Sequence, residues 1–158
     1  MFLATYLRHG VGETLAEHVL AEHSVEAVRV RLRASAELFW VSENRDGIDG
    51  FARLTLGGSP PCDGCSTFEI ATLYVQPRHQ GTGKGSAPLG ACSAEVGRRG
   101  GANAWLTVNE ANEAALAFYA RRGFAEVGRA DFVVKGRAYE NRVLRGDVPP
   151  LRLEPGRR

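Results

Sequence analysis

The chain has little cysteine: three residues in 158, Cys62, Cys65 and Cys92. A sparse, odd set excludes a disulfide framework as its source of stability. It has no apolar run near the roughly 18 residues that a membrane span requires. Its opening Met1-Phe2-Leu3-Ala4-Thr5-Tyr6-Leu7-Arg8 lacks the basic-then-apolar order of a secretory signal. It has no excess of either charge: 20 Lys and Arg stand against 18 Asp and Glu, a formal +2. That balance points to neither nucleic acid nor an anionic membrane. The histidines (His9, His18, His23, His79) are scattered, and the single Cys62-x-x-Cys65 pair supplies half of the four ligands structural zinc wants. No metal is predicted, and the pair reads as two reduced thiols in a turn-rich loop. These absences together predict a soluble, cytoplasmic domain without membrane or nucleic-acid partners.

What is present is ordinary globular composition, 44% hydrophobic and 24% charged. A chain of this size buries roughly 68–70% of its unfolded surface and needs no cross-link to fold. No repeat or linker divides it, so residues 1–146 read as one domain and the Pro- and Arg-rich 147–158 as a loosely ordered tail. Periodicity predicts helices over 13–21 and 25–36, then a hairpin of strands 38–42 and 50–56 around Asn44-Arg45-Asp46-Gly47. A strand over 68–75 ends at Pro77. A helix from about 83 to 99 carries Leu89, Cys92 and Val96 at core spacing and closes on Gly100-Gly101. A strand over 104–108, a helix over 112–122 between Asn112 and Gly123, and strands over 125–134 and 139–144 complete it. The order predicts a mixed α/β sheet with helices on both faces.

The strongest local signal is Gln80-Gly81-Thr82-Gly83-Lys84-Gly85, between a strand and a helix. Alternate glycines let the backbone approach a ligand and adopt conformations other residues resist. Free N–H groups at the helix start favour an anion, with a phosphate or pyrophosphate as the natural guest. Lys84 adds a positive charge there, or faces solvent. The spacing fails both nucleotide fingerprints: Arg78 stands where a P-loop needs its first Gly, and Gly81, Gly83 and Gly85 leave one residue in each gap where a dinucleotide site needs one and then two. A Gly-rich turn with no ligand is the competing reading.

The cluster does fit a third template, Gln/Arg-x-x-Gly-x-Gly/Ala, through Gln80, Gly83 and Gly85. The run Leu73-Tyr74-Val75-Gln76-Pro77-Arg78-His79-Gln80-Gly81-Thr82-Gly83-Lys84-Gly85 resembles the pyrophosphate-binding segment of the GNAT superfamily of acetyl-coenzyme A-dependent N-acetyltransferases. The block Asn112-Glu113-Ala114-Ala115-Leu116-Ala117-Phe118-Tyr119-Ala120-Arg121-Arg122-Gly123-Phe124 resembles its other coenzyme-binding segment. The resemblance covers roughly residues 38–145. Within the superfamily, Trp105-Leu106-Thr107-Val108 resembles the bacterial small-amine and polyamine branch. The resemblance implies a GNAT-like twisted sheet, acetyl-coenzyme A as cosubstrate, and an acceptor that is a small-molecule or protein amine. It places the main chain of Leu73, Tyr74 and Val75 on the pantetheine amides, and residues Gln80 to Gly85 with Ser86 on the pyrophosphate. Asn112, Ala115, Phe118 and Tyr119 fall in the second coenzyme segment, with Phe118 serving packing.

Thioester-to-amine transfer needs a neutral amine and a proton for the departing thiolate, because a simple thiol has a pKa of about 8.5. Asn112, Ala115 and Tyr119 share a helix face, and seven residues at about 1.5 Å each span about 10 Å. Tyr119 is therefore the expected proton donor, and the resemblance puts the family's general acid at the same position. Glu69 is the expected base; strict alternation puts it on one strand face with Ala71, Leu73 and Val75. A water chain or Glu110 could take the proton instead. Cys92, on a core stripe, reads as a small buried hydrophobe. Two features depart from the pattern. Pro88 predicts a kink or a late start in the coenzyme-binding helix. The chain also begins within what the family has as its first helix, predicting a sheet without the first strand, an edge for another chain to cover and a possible homodimer. Those departures keep open a second reading, a coenzyme A-binding sensor or interaction protein without catalysis.

Overall fold

The computed structural model describes residues 13–149. Two helices, α1 (Glu13–Glu22) and α2 (Val25–Arg33), precede strands β1 (Glu37–Asn44), β2 (Gly47–Leu56) and β3 (Phe68–Val75). A single 3₁₀ turn (Pro77–His79) leads to helix α3 (Ser86–Arg98), strand β4 (Asn103–Asn109), helix α4 (Glu113–Ala120) and strands β5 (Phe124–Val134) and β6 (Arg137–Asp147). The strands form one six-stranded sheet in the order β1-β2-β3-β4-β6-β5, with β3 and β4 parallel and every other pair antiparallel. The mixed sheet, with helices on both faces, is the architecture the periodicities predict. Among the described residues no strand precedes α1, and β1 is an edge of the sheet; residues 1–12 and the tail beyond 149 lie outside the described residues. Strand β6 runs on to Asp147, and Val148 N–H bonds the Ala102 carbonyl (2.8 Å), so the chain is held past residue 146. No helix among the described residues is long and apolar enough to cross a membrane.

One face carries the core. Leu89, Cys92 and Val96 of α3 and Tyr119 of α4 pack on Ala52, Leu54, Ile70, Ala104, Leu106, Val108 and Leu144. Burial of this apolar surface is the main term holding the layers together. The other face carries α1 and α2, with α2 against β1 and α1 against β5, and a cavity separates them from β2 and β3. Further along that face, the β2–β3 loop (residues 57–67) covers Trp105, whose indole N–H bonds the Ser66 carbonyl (2.9 Å).

Two irregularities in β3 position everything that follows. Leu54 pairs with Ile70 and Arg53 with Thr72, so Ala71 is an extra residue, a β-bulge. A bulge exchanges faces beyond it. Accordingly Phe68, Ile70 and Leu73 face the core, and Val75 reaches Gly85 of the next loop, while Thr72 and Tyr74 face α1 and α2. The strict alternation that put Glu69 on one face with Leu73 and Val75 is thus corrected. Secondly, β3 and β4 meet in register only at Glu69 and Trp105. Beyond that point they part, leaving the β4-facing main chain of Leu73 to Val75 outside any ladder.

Candidate active site

The loop after β3 is held open by its own side chains. Gln80 Nε2 donates back to the Val75 carbonyl (3.2 Å), and Thr82 Oγ1 donates to the His79 carbonyl (2.6 Å). Gly81 and Gly83 adopt φ of 76° and 84°, the left-handed region that side-chain-bearing residues resist. Ser86 N–H bonds the Gly83 carbonyl (3.0 Å), and the helix takes up at Ser86. Among the described residues the N–H groups of Gly81 to Gly85 find no acceptor of good hydrogen-bond geometry. Such a row of free donors at a helix start is an anion-binding arrangement.

The helix therefore begins three residues later than the periodicity predicts, and this resolves Pro88. Pro88 is the third helical residue, where an N–H would have no partner within the helix, and the Lys84 carbonyl it would strike lies before the first turn. It costs the helix nothing, and α3 runs on to Arg98.

Lys84 is engaged within the protein. Its ammonium is paired with Asp49, a fully buried carboxylate on β2 that also accepts from Asn44 Nδ2 (3.2 Å). Hydrogen bonds from Lys84 and Ser42 hold the Asp49 carboxyl down to about 2. Lys84 thus fastens the loop to the sheet. A second cation at the loop mouth is Arg122. Its guanidinium stacks 3.7 Å from the centroid of the Phe118 ring, donates to the Phe118 carbonyl (3.3 Å) and reaches Ser86 Oγ. Sequence reasoning passed over Arg122; the Arg121-Arg122 pair before Gly123-Phe124 was the available signal.

The two segments singled out by sequence meet here. A Cβ on Gly85 would lie 3.0 Å from Phe118 Cζ and 3.5 Å from Val75 Cγ2, so the absence of a side chain lets the loop seat on α4. Asn112 caps α4, accepting from Ala115 N–H (3.2 Å), which commits its carbonyl oxygen to the helix. Tyr119 is buried edge-on against Phe118 (5.1 Å between ring centroids) and tilted on Phe124 (5.5 Å). Its hydroxyl makes no hydrogen bond to a described residue. Burial, with Cys92 nearby, raises the phenol well above its usual pKa, so it keeps its proton at neutral pH. Cys92 is fully buried and its thiol is pushed up to about 12, in keeping with a packing role.

Glu69 stands elsewhere, at the start of β3 beside Gly58, whose added Cβ would lie 3.7 Å from Glu69 Oε2. Burial raises its pKa, opposed by Arg53 and assisted by Glu37. Glu110 is engaged by Arg142 (2.9 Å) and Arg129 (3.1 Å), which lower its pKa and fix it as an anion. On the same side as α1 and α2, a cavity of about 170 Å³ is lined by His18, Glu22, His23, Arg31, Arg53, Ala71, Thr72 and Phe132. It reaches β3 at the Ala71 bulge. Its charges are internally matched: Glu22 pairs with Arg31, and Glu37 accepts from Arg53 (3.1 Å). His23 lies edge-on to Tyr74 (6.1 Å), and burial and Arg31 lower its pKa, so it is neutral at pH 7. Among the described residues no group of three or more His, Cys, Asp or Glu side chains is placed to hold a metal.

Comparison with known proteins bears on these features. The family model described as an acetyltransferase (GNAT) domain matches residues 2–139. Uncharacterized N-acetyltransferases of Mycobacterium tuberculosis and Mycobacterium bovis are each 36% identical over 102 residues, 64% of this chain. The match spans 61% of the length of those curated relatives. Among solved structures, the PaiA N-acetyltransferase of Thermoplasma acidophilum in complex with coenzyme A superposes with a TM-score of 0.73 at 17% identity, covering 92% of this chain and 85% of that one. The ribosomal-protein-S18-alanine N-acetyltransferase of Escherichia coli gives 0.62 at 20% identity, covering 88% and 90%. At these identities the likeness is one of fold.

Proposed function

Because this chain belongs to the GNAT acetyltransferase family, we propose that it moves an acetyl group from acetyl-coenzyme A directly to a primary amine of a small molecule. The observation that carries the reading is the meeting of the glycine loop with α4 at Gly85 and Phe118, beside the opening between β3 and β4. The free N–H groups of Gly81 to Gly85, with the Arg122 guanidinium, suit a pyrophosphate. The main chain of β3 along the opening, Leu73 to Val75, suits the pantetheine amides as an added strand.

Held there, the thioester carbonyl is presented to the amine as if at high local concentration. The amine nitrogen attacks the carbonyl carbon, the carbon–sulfur bond breaks, and the thiolate takes the Tyr119 proton. Tyr119 holds its proton at neutral pH and its hydroxyl makes no hydrogen bond to a described residue; because burial makes the phenol a weaker acid, the transfer depends on its being held beside the sulfur. Glu69, whose pKa burial raises, accepts the amine's proton through water. The cavity at the Ala71 bulge receives the acceptor. Its size fits a small amine, and the pairing of Glu22 and Glu37 with arginines leaves little negative charge for a polyamine.

The test is calorimetric titration with acetyl-coenzyme A, followed by thiol release across a panel of amines. Wild type binds and turns over. Tyr119→Phe binds equally and loses about 100-fold or more in kcat, the range of acid catalysis. Binding without turnover on any amine would select the non-catalytic sensor, and no binding would refute the site.

A further inference from the structure

Cys62 and Cys65 take no part in the site above. They lie in the β2–β3 loop, with their sulfurs 3.5 Å apart and both side chains half-buried. Cys65 N–H bonds the Cys62 carbonyl (3.3 Å), closing a turn in which Gly64, at φ 81°, occupies the position that needs a left-handed residue. Such a turn brings its first and last Cα atoms within about 7 Å, the separation a disulfide spans. We propose that Cys62 and Cys65 are a dithiol–disulfide pair, an oxidisable site within the loop that lies over the acceptor-side face of the sheet.

The surroundings support this over two incidental thiols. The loop is already fixed, which holds the sulfurs near each other: Ser66 N–H donates to Asn103 Oδ1 (2.8 Å), Ser66 Oγ donates to the Asn103 carbonyl (2.6 Å), and Asn103 Nδ2 donates to the Gly64 carbonyl (3.2 Å). Cys62 Sγ sits 3.2 Å from where a Cβ on Gly128 would be, so glycine on β5 makes room for that sulfur. Gly128 pairs with Val143, and Arg145 of the same strand donates to the Gly64 carbonyl (3.3 Å). The loop thus lies across β5 and β6, on the strand that also sends Phe132 to the cavity.

The chemistry balances with a small-molecule disulfide as oxidant. Burial and the neighbouring sulfur raise the Cys65 thiol to about 11, and either cysteine of the pair can open the exchange, Cys62 for instance. The Cys62 thiolate breaks the oxidant's sulfur–sulfur bond, releases one thiolate and forms a mixed disulfide. Cys65 then gives up its proton and displaces the second thiolate, forming the internal bond. Two electrons pass to the oxidant, and two protons leave the protein for the released thiols. Paired thiols of this kind in reducing compartments are usually catalytic or sensing.

The folded full chain, incubated with glutathione disulfide, is expected to lose two hydrogens in intact mass, with peptide mapping joining Cys62 to Cys65. Dithiothreitol restores it, and Cys92 stays reduced throughout as an internal control, being fully buried. Cys62→Ser and Cys65→Ser each end as a glutathione adduct on the remaining loop thiol or stay unreacted, without an internal bond. Stable glutathione adducts on the wild-type chain, a bond to Cys92, or three persistent thiols would overturn the proposal. The readout is mass, so it stands or falls separately from acetyl transfer.

Discussion

Gly83→Ala tests the coenzyme loop with little else disturbed. Nothing lies within 4 Å of a Cβ built at Gly83, so an alanine there meets no steric obstacle, and the only penalty is its φ of 84°. That conformation costs a side-chain-bearing residue roughly 1–2 kcal/mol. An exposed loop sheds the strain by relaxing, and the ligand must then restore the strained form on binding. The same 1–2 kcal/mol consequently appears in affinity, as a factor of about 5–30 in Kd for acetyl-coenzyme A. Gly100→Ala is the matched control, with a φ of 77° and equally open surroundings, but at the C-terminal end of α3. There the chain is pinned by the Gly100 N–H to the Gly97 carbonyl (3.0 Å), so the strain stays in the native state. Its expected signature is a Tm lower by about 2–8 °C with unchanged affinity. Titration calorimetry and thermal unfolding on the two variants read both quantities. Equal Kd for Gly83→Ala and wild type, in folded samples, would refute the assignment of the loop.

Three further outcomes follow from the structure. If Glu69 is the base, kcat/KM falls as pH drops through its raised pKa; Glu69→Gln removes that acidic limb, whereas His23→Gln leaves it in place. The Asp49 carboxyl, held to about 2, contributes stability that is complete above the free carboxylate range near 3.9 and is lost as pH falls toward 2. Lys84→Met weakens the hold, so acid unfolding, followed by circular dichroism, moves to higher pH; an unmoved midpoint would show that the pair contributes nothing. Leu54 is fully buried beneath α3, and Leu54→Ala is expected to lower stability by about 2–5 kcal/mol in urea denaturation. A loss under 1 kcal/mol would mean the core collapses around the missing atoms.

Much of this was legible in sequence because its signals are local. The Asn44 to Gly47 turn, the Asn112 cap, the Gly100 stop and the Leu89, Cys92, Val96 stripe depend on neighbours within a few positions, and the structure places them as read, while α4 ends at Ala120, two residues short of the expected 122. What was not legible depends on partners far along the chain. Ala71 looks like any small strand residue; only its pairing against Arg53 and Leu54 makes it a bulge, and that moved Leu73 to the face opposite Glu69. Lys84 meets Asp49 from 35 residues away, and Arg122 meets Ser86 from 36. No spacing rule reaches that far. The late start of α3 is intermediate: Pro88 announced a disturbance, and the register of the first turn decided its form.

The parting of β3 from β4 leaves the sheet as two three-stranded halves tied at a single register point. If the pantetheine arm fills the opening, the coenzyme is a structural member of the sheet as well as a reactant. Amides on both sides of the opening would then exchange with deuterium at rates set by the free concentration of coenzyme. Protease resistance would rise and fall with the same variable. The amount of intact protein in a cell would follow its supply of activated acetyl groups, with no regulatory domain required.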